Sequence, residues 1–419
     1  MARMIIIVSP WYGPDTTGGA ETQARSLATA LHAQGEQVYV WASTGRDSFH
    51  PEATAHYPAG WGILDGIPLW RFRPAPADQR GVPLFFQQHP QLLPPLGQFG
   101  PHELRLLGSL LSSDELYTAI VQQREQQPHT RFIFLPYPFP TSFWGALLAP
   151  QHSYLLPCLH DEPYARYRTY RYLATQVQGL LCNSHAEAAL ALRLYGLPPE
   201  RVWVAGEGID LSPRGDGAAF RQRMGIAPDL PVLLYVGRRD ASKNLDTLFS
   251  YLREYWARRG PPLRLLLIGR GELHLPAALD ATRHHDAPVW DLGFRTAHEK
   301  HAAFAAADLF VLPSLLESFS IVLMEAWLQG VPALVHGDCA VTADHVQRSG
   351  GGLQFRDFGS FAAALDLLLA SPNLRHTLGA RGREFVLQTC DWREVARRTA
   401  QIVHQQLPPP EQAACPSAS

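Results

Sequence analysis

The sequence predicts an α/β fold in which two doubly wound, Rossmann-like domains follow each other and face a central cleft. Short apolar runs rich in β-branched residues alternate with segments that place apolar residues at helical spacing. This alternation occurs twice, and a stretch rich in Gly, Pro, Asp and Ser separates the two halves. The length of 419 residues is enough for two or three domains.

The first half opens with a βαβ pattern. "MIIIV" (4–8) predicts a buried strand, "GAETQARSLATALHAQG" a helix and "QVYVWAS" a second strand. The region from about 45 to 130 is richer in Pro and His and predicts short strands near "IPLWRFR", then an irregular, partly helical insertion. Regular alternation resumes with "RFIFLP", "SYLLPCLH", "VQGLLCNS" and "RVWVAG". We expect the first domain to span 1–207.

The second half, 208–390, repeats the pattern after the predicted linker "EGIDLSPRGDGAAF". Its predicted strands are continuous apolar runs, as in buried parallel sheets: "PVLLYVG", "LRLLLIG", "VWDLG", "LFVLPS" and "PALVH". Helices are expected in "NLDTLFSYLREYWARRG", over 297–307 and within "SIVLMEAWLQG". The final residues 407–419, "LPPPEQAACPSAS", predict a disordered tail.

Composition excludes several classes of protein. The net charge of −2 argues against nucleic acid as the main partner. The five cysteines are scattered without metal or redox spacing, which favours a reducing, cytoplasmic location. The apolar run after Met4 is too short for a signal peptide, and no apolar stretch is long enough to span a bilayer. Contact with a membrane surface stays open.

Ligands of open α/β sheets bind beyond the carboxyl ends of the strands, so we sought functional residues in those loops. "SPWYGPDTTGGAE" follows the first strand and opens a helix, where Gly18 and Gly19 would let an anion approach backbone N–H groups. It is not a dinucleotide-binding G-x-G-x-x-G motif. The alternative is a glycine-rich turn in which Glu21 favours the helix dipole.

In "YVGRRDASKN", Arg238 and Lys243 precede a helix and are suited to a diphosphate. The alternative is two solvated charges. The chain has 36 lysines and arginines, of which only Lys243 and Lys300 are lysines, leaving 34 arginines. Because an ammonium is a compact point charge and a guanidinium a planar fork, a lysine in so arginine-rich a chain favours a functional role.

"LLESFSIVLMEAW" places Glu317 before a helix start and Glu325 inside the helix. The N–H groups of a first helical turn are unpaired and would donate to a phosphate. Glu325 would bind two vicinal hydroxyls, such as a ribose diol, whereas Glu317 is expected to be free to bind another diol or a reacting sugar. The alternative is two ordinary acids at a helix start, although a carboxylate among apolar residues needs a partner.

"CLHDEPYARYRTYR" places His160 and Asp161 at the predicted carboxyl end of a strand. The arginines and tyrosines that follow, including Tyr164 and Arg168, would bind an acidic or sugar acceptor, or else form an amphipathic helix with stacked aromatic rings. In "CNSHAE", Ser184 and Glu187 have the spacing of a capping box, which indicates a structural role.

Together these motifs resemble glycosyltransferase family 4, whose members are retaining enzymes of the GT-B fold that use nucleotide-sugar donors. In the first half the resemblance rests on "GGAE" and "LHD", and at the junction on "GID" (208–210). In the second half it rests on "VGRRDASKN", "LLLIGRGE", "LGF", "AADLFVLPS" and "ESFSIVLMEA". The order and spacing of these motifs cover nearly the whole chain.

The resemblance implies a role for each matching residue. Arg238 and Lys243 would bind the donor diphosphate, Glu317 the transferred sugar and Glu325 the ribose. His160 would approach the transferred sugar and is implied to be catalytic together with Arg238, Lys243 and Glu317. The other residues implied to bind the donor are Gly18, Gly19, Phe294, Ser318, Phe319, Ser320 and Ile321. From their own chemistry, rather than from the resemblance, Asp161, Tyr164 and Arg168 are expected to contact the acceptor, which would be a saccharide, a lipid-linked glycan or a small molecule.

The resemblance also implies that the first domain is the acceptor side, with a helix at about 392–406 packing back on it, and that the second domain binds a UDP-, GDP- or other nucleotide sugar. It implies no cofactor and no metal. The family often has Gly-Phe-Gly where this chain has Ser318, Phe319 and Ser320, so the Ser320 Cβ would crowd a phosphate.

Other enzymes and non-enzymes share this fold. A nucleotide-sugar epimerase and an inactive nucleotide-sugar-binding or scaffold protein stay open, whereas a pyridoxal-dependent phosphorylase would need one of only two lysines. The Arg- and Ala-rich composition indicates a GC-rich bacterial genome, in which polysaccharide biosynthesis is a common setting.

Overall fold

The computed structural model describes residues 4–16, 18–47, 50, 53–260, 263–272 and 288–405. The chain divides into two compact units, Met1–Gly208 with Trp392–Ser419, and Ile209–Asp391. The predicted disordered tail at 407–419 lies outside the described residues. No helix in the described ranges is both long and apolar enough to cross a membrane.

The first unit is built on an eight-stranded sheet in the order β3-β4-β2-β1-β5-β6-β7-β8. Its strands are β1 (Ile5–Val8), β2 (Val38–Ser43), β3 (Gly60–Leu64), β4 (Ile67–Phe72), β5 (Arg131–Phe134), β6 (Ser153–Leu155), β7 (Gly179–Cys182) and β8 (Val202–Val204). All neighbours pair in parallel except the β3–β4 hairpin. The helices before the second unit are α1 (Gly19–Ala33), α2 (Leu84–Gln88), α3 (Pro101–Gly108), α4 (Asp114–Gln126), α5 (Pro140–Leu148), α6 (Arg168–Gln176) and α7 (His185–Tyr195).

The second unit has a six-stranded parallel sheet in the order β11-β10-β9-β12-β13-β14. Its strands are β9 (Val232–Val236), β10 (Arg264–Ile268), β11 (Val289–Asp291), β12 (Leu309–Leu312), β13 (Ala333–His336) and β14 (Gly352–Phe355). Its helices are α8 (Gly217–Met224), α9 (Leu245–Arg259), α10 (Ala297–Ala306), α11 (Ile321–Leu328), α12 (Ala340–Ser349), α13 (Phe358–Ala370) and α14 (Pro372–Thr389). The last described helix, α15 (Trp392–Val403), belongs to the first unit and packs on α1.

Strand composition explains both sheets. The central strands β1, β9 and β12 are apolar along their whole length and almost completely buried, as is β5 after Arg131, because helices cover both faces of a parallel sheet. The chain therefore consists of two doubly wound α/β units, as the sequence predicts.

Two local expectations were wrong. The predicted linker ends earlier than "GDGAAF", because the Asp216 side chain accepts from the Ala219 N–H and starts α8 at Gly217. The strand expected in "SYLLPCLH" ends at Leu155, since Pro157 lacks an N–H and Cys158 has a positive φ of 54°. His160 and Asp161 therefore lie in a loop after the strand rather than at its end.

Candidate active site

The strand order of the second unit reverses between β9 and β12. Strands β10 and β11 extend the sheet on one side, and β13 and β14 extend it on the other. Loops that leave the two central strands diverge at such a switch point and open a crevice, which is the usual ligand site of doubly wound sheets. Arg238 and Lys243 follow β9, and Glu317 follows β12, so all three lie at this switch point.

Lys243 and Glu317 form an ion pair, with 2.7 Å between Nζ and Oε1. Both side chains are largely buried. A second bond joins the same two loops, from Asn244 Nδ2 to the Pro313 carbonyl oxygen at 3.1 Å. The sequence led us to expect that the Glu317 carboxylate is free, and this expectation was wrong. The loops after β9 and β12 bring the Lys243 ammonium onto that carboxylate.

The neighbouring arginines Arg238 and Arg239 differ in their surroundings. Arg239 is only 7 % exposed and forms a bidentate pair with Asp291, at the end of β11. Arg238 is 56 % exposed, and its Nε lies 3.4 Å from Asp240. The Tyr235 hydroxyl donates to the Arg238 carbonyl oxygen at 2.6 Å, and burial holds the pKa of Tyr235 above its ordinary value, so this donor keeps its proton. Arg238 is thus the more accessible cation of the two.

Glu325 lies inside α11, where it is buried. Its Oε1 accepts from Lys300 Nζ at 2.6 Å, while its Oε2 has no hydrogen-bond partner among the described residues. His301 Nε2 lies 3.9 Å from the same Oε1. Burial lowers the pKa of His301, although the charge of Glu325 opposes this, so we assign the compensating positive charge to Lys300. One oxygen of a buried carboxylate is left for an external donor.

The helix start between the two glutamates has an unusual backbone. Ser320 precedes α11 with φ 76° and ψ 74°, in the left-handed region that favours glycine. Its hydroxyl oxygen is buried and has no hydrogen-bond partner in the described part of the chain. Phe319 is buried edge-on against His345, with ring centroids 5.4 Å apart. Phe319 and Ser320 thereby fix the backbone before Ile321. The first N–H groups of α11 are left without partners inside the helix.

Phe294 follows β11 and is an exposed aromatic side chain, with the Arg270 guanidinium 4.1 Å from its ring centroid. The β9 and β10 loops approach closely here. Gly269 has φ 157°, and a Cβ at this position would lie 1.8 Å from the Gly237 carbonyl oxygen. Only glycine allows this approach, and it holds Arg270 and Phe294 on the edge of the sheet that also carries Lys243.

In the first unit, Gly18 and Gly19 open α1 after the loop that follows β1. Gly18 has φ 147°, and a Cβ there would lie 2.0 Å from Glu21 Oε2. Nothing lies within 4 Å of a Cβ at Gly19. The turn therefore requires glycine at Gly18, while Gly19 leaves open space at the helix N-terminus.

The loop after β6 carries His160, whose Nδ1 lies 2.7 Å from Glu162 Oε1. Asp161 contacts two arginines, Arg166 and Arg193, on the surface of the unit. Its carboxylate is thus already paired in the absence of a ligand.

The remaining candidates in this region are Tyr164 and Arg168. Tyr164 stacks on Tyr137 with ring centroids 6.1 Å apart. Arg168 begins α6, where its backbone N–H donates to Glu103 Oε1 at 3.1 Å and its side chain is exposed. Stacked tyrosines beside a short amphipathic helix are the structural alternative that the sequence left open.

Sequence reasoning missed Lys300 as a site residue. The signal was available, because the scarcity of lysine that favoured Lys243 applies equally to Lys300. Both lysines of the chain pair with the two glutamates singled out in "LLESFSIVLMEAW". Within the described ranges, no group of three or more His, Cys, Asp and Glu residues is placed to hold a metal ion.

Comparisons with known proteins address this unit and the whole fold. Residues 217–385 match the family model described as glycosyl transferases group 1. D-inositol 3-phosphate glycosyltransferase 2 of Catenulispora acidiphila is 31 % identical over 255 residues, which are 58 % of this chain and 59 % of that protein. The chain therefore spans little more than half the length of this curated relative.

Solved structures match over nearly the whole chain. Sucrose-phosphate synthase from Thermosynechococcus elongatus superposes with a TM-score of 0.69 at 20 % identity, covering 96 % of this chain and 99 % of that one. Anabaena Alr3699/HepE in complex with UDP superposes with a TM-score of 0.67 at 18 % identity, covering 96 % and 100 %. At this identity the two structures establish the fold.

Proposed function

We propose that this chain, which its family match and fold support as a GT-B glycosyltransferase of the family 4 type, transfers a sugar with retention of configuration from a nucleotide-diphosphate donor. The acceptor is a glycan, a lipid-linked sugar or a small molecule. The observation that carries the proposal is the Lys243–Glu317 pair at the switch point of the second sheet, a few residues before the start of α11. A cation, a carboxylate and a helix N-terminus are the groups that a sugar diphosphate requires.

The donor would bind along the edge of the second sheet. Its diphosphate oxygens would accept hydrogen bonds from the exposed guanidinium of Arg238, the ammonium of Lys243 and the first N–H groups of α11. The ribose diol donates to Glu325 Oε2, which would complete the hydrogen bonding of this buried carboxylate. The transferred sugar lies against Glu317.

Other residues complete the donor site in this proposal. Phe294 packs against the base. The backbone of Ser318, Phe319, Ser320 and Ile321 surrounds a phosphate. From the first unit, the donor is contacted by Gly18, Gly19 and His160.

The catalytic role of this chain is electrostatic. The bond between the anomeric carbon and a diphosphate oxygen breaks, and its electron pair stays on the diphosphate. The acceptor oxygen bonds the same face of the sugar, and its proton passes to a donor phosphate oxygen. Arg238, Lys243 and the helix N–H groups are fixed before the reaction, so they stabilise the developing negative charge without reorganising. This mechanism needs no divalent metal and no enzyme nucleophile.

The donor base is the first identity to establish. Alr3699/HepE binds UDP in its solved complex, and this supports UDP-sugars as the first donors to test. The cytoplasmic location expected from the cysteine pattern and the setting in polysaccharide biosynthesis are part of the same proposal.

The test is a thermal-stability titration of the purified chain with UDP-, GDP-, ADP- and dTDP-sugars. A ligand that binds only the folded chain raises the free energy of unfolding and therefore the melting temperature. At a ligand concentration 100 times the dissociation constant, the gain in the free energy of unfolding is about 2.7 kcal/mol. We expect a shift with one nucleotide class. No shift with any class at millimolar ligand would contradict the proposal.

Turnover then separates the alternatives. NMR of the product should show the donor's anomeric configuration retained in the new glycoside. Accumulation of an epimeric nucleotide sugar would identify an epimerase. Binding without turnover on any acceptor would favour a nucleotide-sugar-binding scaffold protein.

A further inference from the structure

A pocket of about 770 Å³ lies in the first unit, on the sheet face that α4 partly covers. Its floor is formed by β1, β2 and β4, and its rim by β3 and the exposed side of α4. This volume is within the range of roughly 300–1,000 Å³ that small-molecule sites occupy.

The pocket is separate from the residues proposed to bind donor or acceptor. Side chains alternate between the two faces of a strand, and Ile5 and Ile7 of β1 face α1, whereas Ile6 faces the pocket. Gly18 and Gly19 open α1 on the opposite face of the sheet. His160 follows β6, which lies two strands beyond β1 on the side away from β3.

Two tryptophans form one wall of the pocket. Trp61 of β3 and Trp70 of β4 are directly opposite each other in the antiparallel hairpin, so their indoles project from the same face. They are 57 % and 43 % exposed, and both line the pocket together with Tyr39. Large aromatic side chains left beside a concave surface indicate a binding site.

The opposite wall is amide-rich. Gln122, Gln126 and Gln127, at the end of α4 and just after it, line the pocket with exposed side chains. Each amide offers two N–H donors and a carbonyl acceptor. Gln123 is deeper and already donates to Thr130 and Met4.

The charged side chains that line the pocket are already engaged within the protein. Arg73 pairs with Glu115 at 3.2 Å. Because side chains alternate along β4, the Arg71 side chain points away from Trp70, to the other face of the sheet. There it donates to the Tyr12 carbonyl oxygen at 3.0 Å and lies 4.3 Å from the centroid of the Tyr57 ring. An anionic ligand or an anionic membrane surface would need an excess of cations, and this pocket has none to spare. Its polar character matches a neutral ligand rich in hydroxyl groups.

We propose that this pocket binds a neutral oligosaccharide. The C–H faces of consecutive pyranose rings would pack on the adjacent indoles of Trp61 and Trp70. The hydroxyl groups of the sugar would form hydrogen bonds with the amides of Gln122 and Gln126, each of which can act as donor and acceptor. Binding needs no nucleotide and no transfer reaction, so the inference stands apart from the proposed function.

The test uses the full chain without nucleotide sugar. Maltohexaose, cellohexaose, mannohexaose and galactohexaose are titrated separately by calorimetry and tryptophan fluorescence. We expect at least one to bind, and Trp61→Ala, Trp70→Ala and Gln126→Ala each to weaken its binding by about tenfold. Ile63→Ala is the matched control, because Ile63 is exposed on the same strand but does not line the pocket, and its affinity should stay within twofold of wild type.

Several outcomes would overturn the proposal. One is that no hexasaccharide binds at millimolar concentration. Another is that binding persists unchanged in both tryptophan variants. A third is that sedimentation shows a dimer that Trp61→Ala dissociates, which would assign the face to a second copy of the chain. A fourth is that the chain binds phosphatidylcholine–phosphatidylglycerol vesicles through Trp70, which would assign the face to a lipid surface.

Discussion

The ammonium of Lys243 is held against a carboxylate in the absence of any ligand. Lys243→Met should lower kcat by about 100-fold, the range for removing one group that stabilises charge in a transition state. It also leaves Glu317 largely buried without its counter-ion, so the free energy of unfolding should fall by about 3–5 kcal/mol. Steady-state kinetics and chemical unfolding measure the two effects.

A double variant separates these effects. Lys243→Met with Glu317→Gln removes both charges, so it should recover most of the lost stability without recovering activity. A single Lys243→Met variant whose kcat stays within threefold of wild type would rule out the proposed role of the lysine.

Glu325 is proposed to bind the ribose, whose contacts would be the same in the ground and transition states. Glu325→Gln should raise the KM for the donor more than it lowers kcat. Initial rates over a range of donor concentrations test this. An unchanged donor KM in Glu325→Gln would refute the ribose contact.

Ser320 has a backbone conformation that costs a non-glycine residue about 1–2 kcal/mol. Ser320→Gly should therefore stabilise the chain by about 1 kcal/mol, less the greater freedom of glycine in the unfolded state. Ser320→Ala keeps the Cβ and the strain, and should not stabilise it. Thermal unfolding of the pair gives the comparison, and equal melting temperatures for the two variants would contradict the predicted net gain from glycine.

At the scale of elements, a buried carboxyl holds the loop after β6. Glu187 in α7 accepts from the backbone N–H groups of Leu159 and Asn183, while Ser184 caps the helix. Burial raises the pKa of Glu187 from 4.5 to about 8, and these backbone bonds only partly oppose the shift. Because the folded chain binds a proton that the unfolded chain has released, Glu187 makes stability fall as pH rises from about 4.5 to 8.

Glu187→Gln should remove this part of the pH dependence. Chemical unfolding of both proteins at several pH values between 4.5 and 8 measures it, and the curve of the variant should be the flatter one. The loop that carries His160 should share this pH dependence, because the N–H of the preceding residue, Leu159, donates to Glu187. A variant with the same slope as wild type would mean that Glu187 keeps an ordinary pKa.

The elements that the sequence predicted best are those with one dominant signal. Buried strands such as β1 and β9 are short, continuous apolar runs, and the sequence predicted them from that signal. The hairpin strand β3 was missed, because its exposed Trp61 and Ile63 alternate with small residues and give no sign of burial. The end of β6 was misplaced, because the apolar run continues past Leu155 while the backbone turns at Cys158.

The sequence singled out Lys243, Glu317 and Glu325 as candidates but did not predict their pairings. Strand-end position and the scarcity of lysine indicated Lys243 and Glu317. Their contact joins residues 74 positions apart and depends on β9 and β12 being neighbours in the sheet, which no local pattern reveals. The same holds for Lys300 and Glu325, which belong to separate helices.

At the scale of the whole molecule, the second unit closes on itself. Its first and last residues, Ile209 and Asp391, form a β-bridge, and the Ile209 N–H donates to the Cys390 carbonyl oxygen at 3.0 Å. One hydrophobic core of this unit includes Ile209, Cys390 and buried residues of all six strands. The two cuts that would release the unit therefore lie side by side, and its core does not depend on the rest of the chain.

The fragment 209–391 should therefore fold alone and bind the donor nucleotide without transferring sugar, because most of the residues proposed to contact the donor, including Arg238, Lys243 and Glu325, belong to it. Circular dichroism during thermal unfolding should show one cooperative transition. Titration with the nucleotide that stabilises the full chain should give a dissociation constant within about tenfold of the full chain, since only the contacts of Gly18, Gly19 and His160 are lost. Glu325→Gln in the same fragment should weaken that binding. A fragment that folds but binds no nucleotide would place the main donor contacts in the first unit and contradict the assignment of the site.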